Sequence, residues 1–313
     1  MFAHQVVDDF KDYLVRAKRL NNEHFKAYIA AIQIIINSMI KSHQFHIGEQ
    51  KEFYDSMGIE KQIKNKKRIF MEDDSECLRL PYPICWFDAK RSSDGPLGED
   101  QNGLVKSPKR GCLAIEINPK ILLLFVIQYM GDIKHWYLTP FQYYIHIGSL
   151  WKDADIFQVD VHKDHLKTLN GNIFIQPLFA SEYFKPGTID QKIREDADEI
   201  TMVEMVMKLL SCKNITTETH DPPAKLNKAR QKRGKQPLFT YHTLVLKPVG
   251  KKQESIPKHL WNNRIHLQRG HFKTYTQESP LFGSITGRFW WQPHVRGQNR
   301  EGVVMKDYKV EAS

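Results

Sequence analysis

Between Lys225 and Pro237 the chain reads K-L-N-K-A-R-Q-K-R-G-K-Q-P, and six cations (Lys225, Lys228, Arg230, Lys232, Arg233, Lys235) fall within eleven residues. Cations at this density suit phosphate. Each one that meets a phosphate displaces a condensed counterion, so affinity for a nucleic acid falls with salt by a log–log slope of roughly 0.7 to 0.9 per contact. A solvated connector before a strand has the same composition. Gly234 and Pro237 bar a long helix, so a loop or short helical turn is expected. Two further stretches add rings and imidazoles to the charge. The first runs Arg264-Ile-His266-Leu-Gln-Arg269-Gly-His271-Phe-Lys273-Thr-Tyr275. The second runs Gly287-Arg288-Phe-Trp290-Trp291-Gln-Pro293-His294-Val-Arg296-Gly297.

Both stretches read as β-type segments joined by a loop over 276–287, and pairing them as a hairpin brings Arg269, His271, Trp290, Trp291, His294 and Arg296 together. Several chemistries stay open. Arginine and aromatic side chains clamp phosphates and stack bases. His266, His271 and His294 with Arg269 are candidates for metal-independent phosphodiester cleavage, one imidazole acting as base, another as acid, and the guanidinium stabilising the phosphorane. In the bland alternative the tryptophans divide between core and surface, and the His and Arg side chains satisfy backbone groups. The histidines have no cysteine or paired carboxylate at ligand spacing, so no metal and no other cofactor is expected. Arg264, Lys273 and Tyr275 complete the candidate partner-binding set.

The charge of the whole chain supports a partner of opposite sign. Net charge is +10, yet residues 225–313 alone hold 18 Lys/Arg against 5 Asp/Glu, which leaves the preceding residues slightly acidic. Such asymmetry is the electrostatic footprint of a nucleic-acid or acidic-protein binder. Hydrophobic residues at 41% and charged residues at 26% of 313 place the chain among folded proteins, with room for two domains. The longest apolar run, Ile121 to Ile127, is far short of a membrane span. The start MFAHQVVDDFKDYLVR carries acids and no apolar core, so no signal peptide and no membrane partner are expected. Cys77, Cys85, Cys112 and Cys212 lack paired short spacing and read as reduced, buried small hydrophobes.

The positioning elements follow from periodicity. Residues 8–43 read as a helix pair broken at Asn21-Asn22, with Phe10, Tyr13, Leu14, Tyr28, Ile32, Ile35, Ile36 and Met39 on one stripe. Leu80 to Phe87 reads as a strand whose prolines place it at a sheet edge. Residues 88–110 read as a long hairpin loop. Strands are expected at 112–117, 121–130 (or a short helix), 143–147, 156–161, 174–175, 214–217 and 239–246. Residues 189–212 form a helix whose acids Asp190, Glu195, Asp196, Asp198 and Glu199 read as a solvated face rather than a metal site. The expectation is an α+β fold: N-terminal helices packed on a mostly antiparallel sheet in an α+β scaffold domain over 1–220, then a basic β-rich binding module over 221–313.

The motifs Asn227-Lys-x-Arg230-x-x-Arg233-Gly-Lys235-x-Pro237, His266-x-x-Arg269-Gly-His271-Phe-Lys273-x-Tyr275 and Trp290-Trp291-x-Pro293-His294-x-Arg296-Gly297 span roughly residues 225–297. Together they resemble the C-terminal pattern of a group of phage and prophage proteins. They are similar to the family of the type V-A anti-CRISPR protein that lowers production of the CRISPR nuclease. That resemblance implies a phage-encoded protein acting in the bacterial cytoplasm on host defence or host gene expression. The implied activity is recognition of the nascent nuclease chain and loss of its messenger RNA. RNA, rather than DNA, is then the expected nucleic-acid partner, with an acidic host protein as the alternative. A binding role is favoured over an enzymatic one, and the enzymatic alternative is a ribonuclease.

Overall fold

The computed structural model describes residues 1–17, 25–56, 79–91, 107–146, 159–161, 166–168, 173–178, 188–247, 266–268, 270–291 and 294–296. Helices α1 (Ala3–Ala17) and α2 (Lys26–Met39) form where apolar residues recur at three- and four-residue steps. Val6, Val7 and Phe10 of α1 and Ile32, Ile35, Ile36 and Met39 of α2 are buried. Next come β1 (His43–Glu49), α3 (Gln50–Ser56), β2 (Ile84–Lys90), β3 (Lys109–Asn118), β4 (Ile121–Met130) and β5 (His135–His146). Short strands β6 (Val159–Val161), β7 (Leu166–Thr168) and β8 (Ile173–Pro177) lead to the long helix α4 (Thr188–Leu210). Strand β9 (Ile215–His220), helix α5 (Ala224–Lys232) and β10 (Tyr241–Leu246) follow. The last described strands are β11 (His266–Gln268), β12 (His271–Tyr275), β13 (Gly287–Trp291) and β14 (His294–Arg296).

Ten strands form one sheet in the order β6-β7-β8-β5-β4-β3-β2-β1-β10-β9. Strand β1 runs parallel to both its neighbours, β2 and β10; the other described pairings are antiparallel. The protein is α+β, with α1 and α2 on one face of an antiparallel-rich sheet. The opposite face is covered by α4. Strand β4 shows why the layers close. Leu123, Phe125 and Ile127 pack toward α1 and α2, while Leu122, Leu124 and Val126 pack toward α4. A strand buried on both faces must be apolar throughout. Position 111 must be glycine for a steric reason: a Cβ there would overlap the Trp86 indole, which lies across β3.

Several expectations from sequence are overturned. Pro81 and Pro83 precede the first residue of β2, so they cost no ladder bond, and β2 is an interior strand between β1 and β3. The acids of α4 are not a solvated face: Asp196, Glu199 and Glu204 are buried. Glu199 pairs with buried Arg110 at 3.1 Å. Asp196 accepts hydrogen bonds from the Tyr143 hydroxyl at 2.6 Å and Gln128 Nε2 at 3.2 Å. The division expected at residue 220 falls between β9 and β10, which pair along their length, His220 opposite Tyr241. Residues 221–247 are therefore continuous with the main sheet. Cys85, Cys112 and Cys212 are buried free thiols, as expected; Cys77 lies outside the described residues.

Candidate nucleic-acid interface

The cation run forms α5. The helix starts directly after Pro222-Pro223 and ends in a Schellman arrangement. Lys235 N–H donates to the Arg230 carbonyl at 3.0 Å and Gly234 N–H to the Gln231 carbonyl at 2.9 Å. Gly234 supplies the left-handed residue, with φ of 68°. The cations near this end also suit the helix dipole, so part of their placement serves the helix itself. The segment after α5 runs back beside it. Asn227 Oδ1 accepts from Leu238 N–H at 2.7 Å, and Asn227 Nδ2 donates to the Leu238 carbonyl at 3.0 Å.

One of the six cations is committed to the scaffold. Arg230 donates to Asp8 of α1 at 3.0 Å and, through Nε, to the Gln236 carbonyl at 2.7 Å. Asp8 also accepts from Gln236 N–H. Arg230 is thus a clasp between α5 and α1 rather than a free phosphate ligand. Lys225, Lys228, Lys232, Arg233 and Lys235 are exposed.

The expected hairpin is present: β12 pairs antiparallel with β13, setting His271 opposite Trp291 and Tyr275 opposite Gly287. Beyond it, β11 pairs with β14, setting His266 opposite Arg296 and Gln268 opposite His294. Arg264 and Arg269 lie outside the described residues. Trp290 is not at a binding surface. It is buried against Met205, Leu209 and Cys212 at the end of α4, and Phe272 packs on it at 4.6 Å. Asn214 anchors this strand, donating to the Trp290 carbonyl at 2.7 Å and accepting its N–H at 3.0 Å. Trp291 is half-buried, and Lys273 is exposed with its ammonium 4.7 Å from the Tyr275 ring.

The hairpin and the cations of α5 do not share one surface. Helix α5 joins the start of β10 and is clasped to α1, whereas the hairpin packs on α4 and on Leu244 and Leu246 toward the other end of β10. Cations of α5 and rings of the hairpin occupy different ends and different faces of the sheet.

Rings that sequence reasoning missed stand at the α5 end. His43 of β1, Tyr82 just before β2 and His242 of β10 have nearly parallel ring planes on the α4 side, with Tyr82 stacked directly on His43. The His43 and Tyr82 centroids are 3.4 Å apart with planes 8° apart. His242 lies 5.8 Å from His43 at 20° and 6.1 Å from Tyr82 at 19°. Buried Phe45 meets His242 at a 39° tilt and stacks in turn on buried Phe87. His242 Nδ1 lies 3.0 Å from Thr219 Oγ1. Burial, with His43 and His220 nearby, pushes the His242 imidazole below its usual range. The signal available in sequence was the His-x-Phe alternation at the head of β1, hidden because that strand directly follows α2.

On the opposite face, Asp88 is fully buried and gathers three donors: Phe2 N–H at 2.6 Å, Trp86 Nε1 at 3.0 Å and His46 Nδ1 at 2.5 Å. Burial alone would raise this carboxyl. The His46 hydrogen bond, the chain's amino group and Trp86 outweigh it and hold the group below the ordinary carboxylate range. An ionised carboxylate only accepts, so His46 Nδ1 carries the proton. His4 of α1 is buried nearby, and burial followed by the Arg230 charge lowers it to about 4. No group of three or more His, Cys, Asp or Glu able to hold a metal occurs among the described residues. No described helix is long and apolar enough to cross a membrane. Compared with protein-family models, curated proteins and solved structures, the chain matches none.

Proposed function

We propose that this protein is a phage-encoded, anti-CRISPR-like regulatory protein that binds RNA, alone or within a host gene-expression complex, through the cations of α5. One observation carries the reading. From Ala224 to Lys235 there is no acid, and five cations are exposed while the scaffold claims Arg230 alone. Among the described residues no acid pairs with these five charges, three of them on the nine-residue helix (Lys225, Lys228, Lys232) and two just past its end (Arg233, Lys235). A phosphate backbone is a ligand that would reward them. The resemblance of residues 225–297 to phage proteins supports the biological setting. The test is a binding isotherm of the full chain on RNA and on DNA across a salt series. Binding at low salt that weakens along a linear log–log slope supports the reading. No binding at low salt, or binding without a slope, ends it.

A second reading, docking on an acidic host protein, is favoured by Phe282 at the tip of the β12–β13 hairpin. Its side chain is 66% exposed and its backbone is left-handed, with φ of 51°. A bulky residue held in that conformation with its ring in solvent is costly for folding alone. A partner retained from nuclease-treated lysate by the wild-type chain and lost with Phe282→Ser would favour this reading over RNA.

A further inference from the structure

We infer that His46 and His220 are an acid–base pair that cleaves RNA, transferring the backbone phosphorus to the neighbouring 2′-hydroxyl. This rests on the RNA-binding reading of α5 and adds an activity to it. Three observations converge on it. First, His46 is set up as a base. Its Nδ1–H is held by the buried Asp88 carboxylate at 2.5 Å, which leaves the lone pair on Nε2. Among the described residues Nε2 has no hydrogen-bond partner, and the side chain is 16% exposed. Second, the strand register brings another imidazole to the same face. Tyr241 of β10 meets the His46 ring edge-on at 6.1 Å and stacks on the His220 ring of β9 at 4.8 Å. His220 Nε2 lies 2.9 Å from Oγ1 of the buried Thr243. A protonated His220 donates there and keeps its Nδ1–H for a leaving oxygen. His46, Tyr241 and His220 are all partly exposed.

Third, the cations of α5 belong to this face. The helix is the excursion between His220, which ends β9, and Tyr241, which opens β10, and these two residues are paired. The Arg230–Asp8 clasp draws α5 to α1. The start of α1 in turn touches the dyad: the Phe2 ring meets His46 edge-on at 6.1 Å, and Asp88 accepts the Phe2 N–H. His4, one turn before Asp8, feels the charges of Arg230 and Asp88 alike. Phosphate-binding cations and the two imidazoles thus share one face and the same strand ends. The step balances without a co-reactant. His46 Nε2 takes the proton of the 2′-hydroxyl as that oxygen bonds to the adjacent phosphorus. The bond from phosphorus to the 5′ oxygen breaks, and that oxygen takes the proton from His220 Nδ1. The products are a 2′,3′-cyclic phosphate and a 5′-hydroxyl end.

The experiment incubates the full chain with a fluorescein-labelled single-stranded RNA in EDTA and measures binding and cleavage together. Wild type is expected to leave 2′,3′-cyclic phosphate ends, read by mass spectrometry, with a bell-shaped pH–rate profile. The same strand with 2′-O-methyl groups should be bound and left whole. His46→Gln and His220→Gln are each expected to slow cleavage about 100-fold or more, with RNA affinity and salt slope unchanged. Thermal melting confirms that each is folded. His46→Gln should also lose the limb of the profile that rises with pH, a change that a merely structural role would not produce. His220 ends an edge strand, so its variant tests the pair even where His46→Gln unfolds. RNA that wild type binds but leaves intact would refute the pair while the α5 reading stands. Cleavage undiminished in the variants, or cleavage of the 2′-O-methyl strand, would refute it equally. If wild type binds no RNA at low salt, α5 itself is refuted and the pair with it.

Discussion

His46 and Asp88 are joined at 2.5 Å across the parallel pair β1–β2, and the same carboxylate accepts the Phe2 backbone N–H that fixes the start of α1. One buried charge therefore couples the N-terminal helix layer to the middle of the sheet. Asp88 is depressed in the folded state. The stability it contributes is present above the ordinary carboxylate range near pH 4 and is lost as pH falls through its lower folded value. Asp88→Asn is expected to cost about 3 kcal/mol at pH 7, since hydrogen bonds to a charged group contribute about 1.5–3 each. It should also flatten the acid limb below pH 4. Urea unfolding between pH 2 and 7 checks both; an unchanged acid limb would contradict the assignment.

Asp196 runs the other way. Burial first, and then Glu199, raise its carboxyl to about 7 against the hydrogen bond from Tyr143. The folded state then keeps a proton that the unfolded chain releases near pH 4, so the stability from this group erodes as pH climbs from 4 toward 7. Asp198 is raised to about 7 by the same causes, with Arg91 opposing. Asp196→Asn is expected to reduce the fall in melting temperature between pH 4 and 7.5, measured by calorimetry.

Among the described residues, Glu199 is the carboxylate that pairs with the buried Arg110 guanidinium, at 3.1 Å. Glu199→Ala leaves that charge uncompensated in the core and is expected to cost about 3–5 kcal/mol. The double variant Glu199→Leu with Arg110→Met should recover most of the loss, because burying an ion pair brings little net gain over apolar packing.

Trp290 and Arg230 look alike in sequence as binding residues, and the fold gives both structural work. Trp290→Ala should destabilise by about 3–5 kcal/mol, the range for truncating a buried aromatic. RNA affinity per folded molecule should stay unchanged. Filter binding at a temperature where the variant remains folded separates the two effects.

Neutralising Lys228 and Lys232 together should lower the salt slope of RNA binding by about 1.4, at roughly 0.7 per phosphate contact on a single strand. Arg230→Gln is expected to leave the slope nearly intact while loosening α5 from Asp8, seen as faster amide exchange over 224–238.

The sequence alone determined α1, α2 and α4, because they carry apolar stripes that no other local structure could bury. It also determined β4, whose unbroken apolar run demands two covered faces, and the β12–β13 hairpin, whose two halves announce themselves by composition. The excess of positive charge after Lys225 is likewise a property of the chain, independent of its path. What only the tertiary structure decided is who sits beside whom. Strand β1 is short and follows a helix, and it pairs with β10 almost two hundred residues later, a register no local pattern encodes. That pairing moves His242 to His43 and Tyr82, and it carries α5 to α1, away from the tryptophans. The acids of α4 looked solvated for a related reason. Charge in a sequence has no address until an Arg110 or a Tyr143 from a distant strand arrives to desolvate and pair with it.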